Sequence, residues 1–318
     1  MEEIEGAADG LGRPLVRSRD LEELVRVSKV RDCALMFKDS VACHVMKRRA
    51  AAVGSIILYQ EAGTRLMTAA GELLRRLDAS GCSAPSGMVL WADTLSHARG
   101  RMDRRWDARR GGLYLAVCFV PELLEERRDL YGLALGLSAA QVLREWGIGA
   151  EIRWINDVLI GLKKVAGVLM EQLTLPESQE EWIIAGLGIN VNQPDFPKDL
   201  PWATSLFMEK GRPFPQKALG ADIISRIGIN FALLHEWEAE ILHLQDLAPE
   251  TKPPAPPMIH AYRRLCGFLG KRVIYGHDAD RRPELTALAL EILPDGRLLL
   301  ETDEGDLIKA STGEIRFF

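Results

Sequence analysis

The sequence is poor in cysteine, with five among 318 residues and no Cys-x-x-Cys pair. That excludes a disulfide framework and a cysteine zinc site, and it fits a reducing compartment. Its six histidines show no His-Glu-x-x-His spacing. No run of 18 or more apolar residues occurs, and the acidic start Met1-Glu2-Glu3 does not look like a signal peptide. Positive charge is not in excess either: 40 Lys and Arg stand against 45 Asp and Glu, net −5, which lacks the global signature of a nucleic-acid binder. The expectation is a soluble, cytoplasmic chain with no membrane partner, long enough for about two domains.

What the sequence does contain is a dense polar cluster, Arg153-Trp154-Ile155-Asn156-Asp157, at the end of one short apolar run and just before another. An Arg can hold an anion by two parallel hydrogen bonds, an Asn both donates and accepts, and an Asp holds a cation or orients a polar group. An anionic ligand with its counter-cation would use all three. A solvated turn would produce the same residues, and on this cluster alone the two readings stand about even. A second concentration of charge lies upstream, where six of the residues from Arg99 to Arg110 are arginines, interrupted by Gly100 and Trp106. Such a loop reads as a lid whose guanidinium groups close on phosphate while Trp106 covers an apolar ligand. A disordered basic loop is the plain alternative.

Periodicity places these stretches in an α+β chain. Strands are expected at 55–59, 88–92, 113–119, 151–154, 165–171 and 182–187, and helices at 66–77, 129–146 and 216–244. Residues 1 to about 15 read as frayed, and Thr64 reads as a helix N-cap. Five prolines between Pro249 and Pro257 mark a break. Beyond it, short strands at 271–275, 284–293, 297–302, 305–309 and 313–318 make a small barrel, with Pro294-Asp295-Gly296 as a hairpin turn. Gly186-Leu187-Gly188 lacks the third glycine and the following helix of a dinucleotide fingerprint.

Arg153 to Asp157 resembles the Lys-Trp-Pro-Asn-Asp signature of biotin protein ligases, and Lys164 to Leu169 resembles that family's Lys-x-Ala-Gly-Ile/Val-Leu. Arg99 to Trp106 resembles its arginine-rich adenylate loop. Gly186 to Asn192, Ala203 to Leu206 and Gly313-Glu314-Ile315 follow in the family's order. The resemblance implies an α+β fold: a mixed-sheet catalytic domain packed by helices at 53–257, then a small SH3-like β-barrel at 258–318, after an extension at 1–52 of unclear role. It also implies a ligase that adenylates biotin with ATP and Mg2+ and passes it to a lysine of a biotin carboxyl carrier domain. Arg99 and Arg101 would clamp phosphate and carboxylate with Gly100 allowing close approach, and Arg153 would take the place of the family's lysine. Trp106 would cover the acid, Thr64 would touch it, and Ala166 and Gly167 would line its pocket. Asn156 and Asp157 would face the nucleotide, with Asp157 toward Mg2+.

Several positions depart from the pattern. Arg153 replaces Lys, Ile155 replaces Pro, Ala98 and Asp103 replace glycines of the loop, Leu95 replaces a glutamine and Gly63 a serine. These departures keep two alternatives open: a ligase for lipoate, octanoate or another acid, and a catalytically weakened biotinyl-adenylate-binding sensor. A homodimer is also left open. DNA binding is not expected, because no two-helix-plus-wing pattern is traceable before residue 53 and Lys47-Arg48-Arg49 reads as a solvated helix face.

Overall fold

The computed structural model describes residues 2–8, 15–247, 254–279 and 281–317. They divide into two compact units, residues 1–122 with 162–232, and residues 123–161 with 233–318. In chain order the first unit begins with α1 (Glu2–Ala8), β1 (Val16–Arg17), α2 (Arg19–Met36), α3 (Ser40–Arg49), β2 (Ile57–Gln60), α4 (Leu66–Ala79), β3 (Met88–Ala92) and β4 (Leu113–Phe119). The second unit opens with α5 (Asp129–Glu145), β5 (Ala150–Arg153) and β6 (Asp157–Ile160). The chain then returns to the first unit for β7 (Lys163–Thr174), β8 (Glu181–Ile189) and α6 (Leu206–Lys210). Helix α7 (Gln216–Leu247) contributes residues to both, and α8 (Pro257–Leu265), β9 (Arg272–Gly276), β10 (Leu285–Ile292), β11 (Leu298–Thr302), β12 (Leu307–Ala310) and β13 (Glu314–Phe317) complete the second.

Six strands of the first unit lie in the order β1-β2-β3-β4-β8-β7. The β2–β3 pair is parallel and the others are antiparallel, so the sheet is mixed, as the resemblance implies. The residues of β3 and β4 are buried throughout, which is why they read as unbroken apolar runs: both faces of the sheet are covered. Helix α4 covers one face with Leu66, Met67, Ala70, Leu73, Leu74 and Leu77, the i, i+3, i+4 stripe of an amphipathic helix. On the other face α7 approaches so closely that a Cβ on Gly220 would stand 2.1 Å from Cη2 of Trp91.

The N-terminus differs from its expected fraying. Ile4 and Ala8 sit one turn apart on α1 and pack, 5% and 0% exposed, into the same core as α4, while residues 9–14 lie outside the described ones. Thr64 is not the cap of α4: Arg65 occupies that position and makes no side-chain cap bond. The proline break is described only from Pro254, residues 248–253 lying outside the described ones.

In the second unit α5 is buried on nearly every side from Leu130 to Leu143. The five C-terminal strands form one antiparallel sheet in the order β12-β11-β10-β9-β13, with the expected turn where Gly296 has φ 87°. This is the small five-stranded C-terminal β domain that the resemblance implies, and among the described residues it does not close into a complete barrel. Strands β12 and β13 have four residues each and lie at opposite edges, β13 pairing with β9 rather than with its neighbour in sequence. Closure needs the edge strands to meet in register, and they do not.

Candidate active site

Strand register gathers small residues on one face of the first unit's sheet. Gln60 pairs with Ala92, Ala92 with Tyr114, Tyr114 with Gly188 and Gly188 with Gly167. Directly paired residues share a face, so one row crosses five strands as Gln60, Ala92, Tyr114, Gly188, Gly167. The adjacent row on the same face is Leu58, Leu90, Ala116, Gly186, Leu169. Three glycines and two alanines leave a shallow floor that larger side chains would fill.

Trp106 lies on that floor. A Cβ on Gly188 would stand 2.9 Å from its Cε2, and one on Gly167 would stand 3.2 Å from its Cζ3, so only glycine permits the contact at Gly188. Met67 covers the next row in the same way, its Sδ standing 2.8 Å from a Cβ on Gly186. The indole Nε1 is buried with no hydrogen-bond partner among the described residues. At the end of β7, the Lys164 ammonium stands 5.3 Å from the indole centroid, within reach of a cation–π attraction.

The arginine loop folds back on itself to deliver Trp106. Gly100 N–H donates to Arg104 O at 2.8 Å, Trp106 N–H to Ala98 O at 3.2 Å and Leu95 N–H to Ala108 O at 2.8 Å. Its tip, Arg101–Asp103, is a single 3-10 turn in which Met102 and Asp103 have φ of 54° and 56°. That is the left-handed region, which explains why a glycine is the expected residue where Asp103 stands. Exposed Arg99 is paired with Asp103 at 3.1 Å. Thr64 is tied to the start of the loop, its carbonyl accepting from His97 N–H at 3.0 Å, while Gly63 bridges to Leu95 beside it.

Of the expected site residues in this unit, Trp106 and Gly167 are in contact, and Thr64, Arg99, Gly100 and Arg101 belong to the loop system that carries Trp106. Ala166 pairs with Ile189 on the opposite face and is fully buried. The hydroxyl of Tyr114 is occupied, donating to Arg109 O at 2.8 Å and accepting from Gln193 Nε2 at 3.1 Å; burial raises its pKa well above the usual tyrosine value. The Ala203 to Leu206 segment serves as a strap: Thr204 N–H donates to Lys164 O at 3.0 Å, and Ser205 caps α6 through Met208 N–H at 3.1 Å.

In the second unit Arg153 and Asp157 face each other across the β5–β6 hairpin and form an ion pair at 2.5 Å. Trp154 between them is 1% exposed and donates to Gly296 O at 3.0 Å, and Tyr262 donates to Ile155 O at 3.2 Å. Asn156 is half-buried at the turn. Among the described residues no three His, Cys, Asp or Glu side chains gather as a metal cage. Asp157, engaged by Arg153, offers one carboxylate, which fits a Mg2+ carried on phosphate oxygens rather than one held by protein alone.

Two residues of the floor escaped the reading of the sequence. Lys164 was visible only as part of a motif, and Gly188 only as a poor nucleotide-loop glycine. The alternation Gly186-x-Gly188 opposite Gly167 was the available signal, since period two puts the glycines of a strand on one face.

Residues 84–190 match the model of the biotin/lipoate A/B protein ligase family. The bifunctional ligase/repressor BirA of Bacillus subtilis is 32% identical over 259 residues, covering 80% of this chain and 71% of that protein. The biotin--[acetyl-CoA-carboxylase] ligase of Mycobacterium tuberculosis is 29% identical over 235 residues, 72% of this chain and 78% of that one. Among solved structures, the biotin protein ligase from Aquifex aeolicus in complex with biotin and ATP superimposes with a TM-score of 0.62 at 25% identity, over 82% of this chain and 97% of that one. No helix among the described residues is long and apolar enough to cross a membrane. On the motifs, the sheet and these relatives together, the chain belongs to the biotin protein ligase family.

Proposed function

We propose that the chain adenylates biotin with ATP and transfers the biotinyl group to a lysine of a biotin carboxyl carrier domain. The observation that carries this reading is the stack of Trp106 on Gly188 and Gly167 with the Lys164 ammonium beside it. A glycine floor, an aromatic cover and a cation at one end suit an acid with an apolar body and a carboxylate. The Aquifex aeolicus enzyme, crystallised with biotin and ATP, supports the choice of substrates, and the name of the Mycobacterium tuberculosis relative supports a carboxylase acceptor.

In the first half-reaction a carboxylate oxygen attacks the α-phosphorus of ATP, the bond to pyrophosphate breaks, and a mixed anhydride forms. In the second, a neutral lysine amine of the acceptor attacks the acyl carbon and AMP leaves. Both reactants of the first step are anions, so the chain must neutralise and align them and keep water out. Lys164, Arg99 and Arg101 would supply that charge from the first unit. Arg153, held by Asp157, would act toward phosphate, with Asn156 toward the nucleotide. Mg2+ would arrive on ATP, and no step is assigned to it. Catalysis is assigned to residues 53–257, followed by the small domain at 258–318; DNA plays no part in this reading.

Biotin-dependent exchange of label between pyrophosphate and ATP, followed by biotin transfer to a carrier domain, tests the proposal. Exchange supported by lipoate or octanoate in place of biotin would overturn the acid. No exchange with any of the three would leave a biotinyl-adenylate-binding protein instead.

A further inference from the structure

Helix α2 carries two stripes. The inward one, Leu21, Val25, Ser28, Lys29, Asp32 and Cys33, is buried against the rest of the first unit. On the outer side Leu24, Val27 and Leu35 are 39%, 52% and 76% exposed, with Val30 beside them. Helix α3 adds Val41 and Val45, one turn apart and exposed as well. Among the described residues, seven of the sixteen exposed large apolar side chains fall between Leu24 and Val45. Single exposed apolar residues are ordinary, whereas such a concentration marks a contact surface.

The helix cannot roll to hide that stripe. Ser28 Oγ donates to Asp222 at 2.7 Å and Ser225 Oγ to Asp32 at 2.8 Å, two buried bonds that tie α2 to α7. Lys29 donates to the carbonyls of Ala51 and Val53 from the same side. Rolling would leave these buried groups unpaired. The outer stripe is therefore a fixed face, and it lies on the α7 side of the sheet, away from the glycine floor.

The charges around the stripe decide what fits it. Asp20 and Arg31 are both exposed and stand at its two ends, about three helical turns apart, so they share the face of Leu24 and Val27. The spacing 20, 24, 27, 31 is that of a helix–helix seam. Arg31 is steadied by bonds to Asp32 at 2.8 Å and Asp222 at 2.9 Å, yet its side chain is still 49% exposed. The order acid, apolar, apolar, base is self-complementary about a two-fold axis passing between Val25 and Arg26. In an antiparallel pair Leu24 meets the partner's Val27, and Asp20 meets the partner's Arg31, twice over. A parallel pair would set Asp20 against Asp20 and Arg31 against Arg31. A nucleic acid or an anionic membrane would be repelled by exposed Asp20 and Glu23.

We propose that the outer face of α2 is a homodimer interface, in which two copies of the chain pack antiparallel through Leu24 and Val27 and are aligned by two Asp20–Arg31 bridges. A pair of 18-residue helices makes a small interface, so the expected dissociation constant is on the order of 10 μM.

Sedimentation equilibrium of the full-length chain over roughly 1–100 μM tests this with wild type, Val27→Asp, Asp20→Lys and Arg31→Glu. The wild type should show a monomer–dimer equilibrium, Val27→Asp should stay monomeric, and Asp20→Lys should weaken association by about 10-fold or more. Mixing Asp20→Lys with Arg31→Glu restores both opposite-charge pairs only in an antiparallel mixed dimer, so the mixture should associate where neither variant does alone. Should Arg31→Glu not fold, Val27→Asp and Asp20→Lys decide the matter, because both side chains face solvent; thermal melts matching the wild type separate lost association from lost folding. A dimer that survives Val27→Asp means that the copies dock elsewhere and overturns the proposal. A wild type that stays monomeric throughout also overturns it, and binding to phosphatidylglycerol vesicles or duplex DNA that Val27→Asp abolishes would then assign the face to that partner.

Discussion

The indole of Trp106 rests on the bare Cα of Gly188, with no room for a methyl group between them. An acid lying on the same floor has to displace the indole or slide beneath it. The indole is held there with its buried Nε1 unpaired, a cost of about 1–3 kcal/mol that is recovered when it moves and finds water or ligand. Biotin binding should therefore shift the emission of Trp106 and change its quenching by iodide, measured against Trp106→Phe to remove the other tryptophans. Gly188→Ala should expel the indole even without ligand and weaken biotin at least 10-fold. Identical tryptophan spectra for wild type and Gly188→Ala would show that the contact does not hold in solution.

The loop tip gives a second prediction. Arg99 is held at 3.1 Å by Asp103, a residue that is itself in a left-handed conformation. The pair is exposed and contributes little to stability, about 0–1 kcal/mol. Asp103→Gly should leave the melting temperature almost unmoved while freeing Arg99 for phosphate, so pyrophosphate exchange should quicken. Arg99→Ala should slow it roughly 10- to 100-fold, since each charge-assisted contact contributes about 1.5–3 kcal/mol. Arg99→Ala with unimpaired exchange would remove Arg99 from the clamp.

Much of this arrangement was legible in sequence, and for a physical reason. Apolar runs such as Leu113–Phe119 and the stripe of Leu66 to Leu77 report burial directly, and the strands and helices they predict are present. Register is another matter. That Gln60, Ala92, Tyr114, Gly188 and Gly167 form one row depends on four strand pairings between segments up to 74 residues apart, as for Tyr114 and Gly188, which no local pattern encodes. In the C-terminal domain the five short strands were readable in the same way, whereas the pairing of β13 with β9 was not.

Within the second unit Trp154 is completed by residues far along the chain. Its Nε1 donates to Gly296, and the neighbouring Ile155 carbonyl accepts from Tyr262. Deleting residues after Pro257 removes both partners and uncovers an indole that is 1% exposed. The truncated protein should lose pyrophosphate exchange through Arg153 and Asp157, while titration should still detect acid binding to the first unit's floor. Full exchange activity in the truncated protein would mean that the hairpin holds its geometry unaided.

Lys29 offers a test of stability against pH. It is 7% exposed, and its ammonium donates to the carbonyls of Ala51, at 3.2 Å, and Val53. Burial lowers its pKa from 10.5 to about 8, with the nearby Cys33 acting weakly the other way. Below pH 8 the ammonium is protonated in both folded and unfolded chains, and the full cost of burying the charge is present. Between pH 8 and 10.5 the unfolded chain binds more protons than the folded one, so stability rises with pH through that window. By pH 9.5 the gain from this group is on the order of 2 kcal/mol. The buried thiols of Cys33, Cys118 and Cys266, pushed up by desolvation, act with the opposite sign, because the unfolded chain loses those protons first. Cys118 and Cys266 are common to wild type and Lys29→Met and cancel in the difference, and comparing the two in a Cys33→Ala background removes the thiol that is coupled to Lys29. Urea melts at pH 7.5 and 9.5 should show the wild type gaining on Lys29→Met as pH rises, and parallel trends would mean that the ammonium is better solvated than its burial implies.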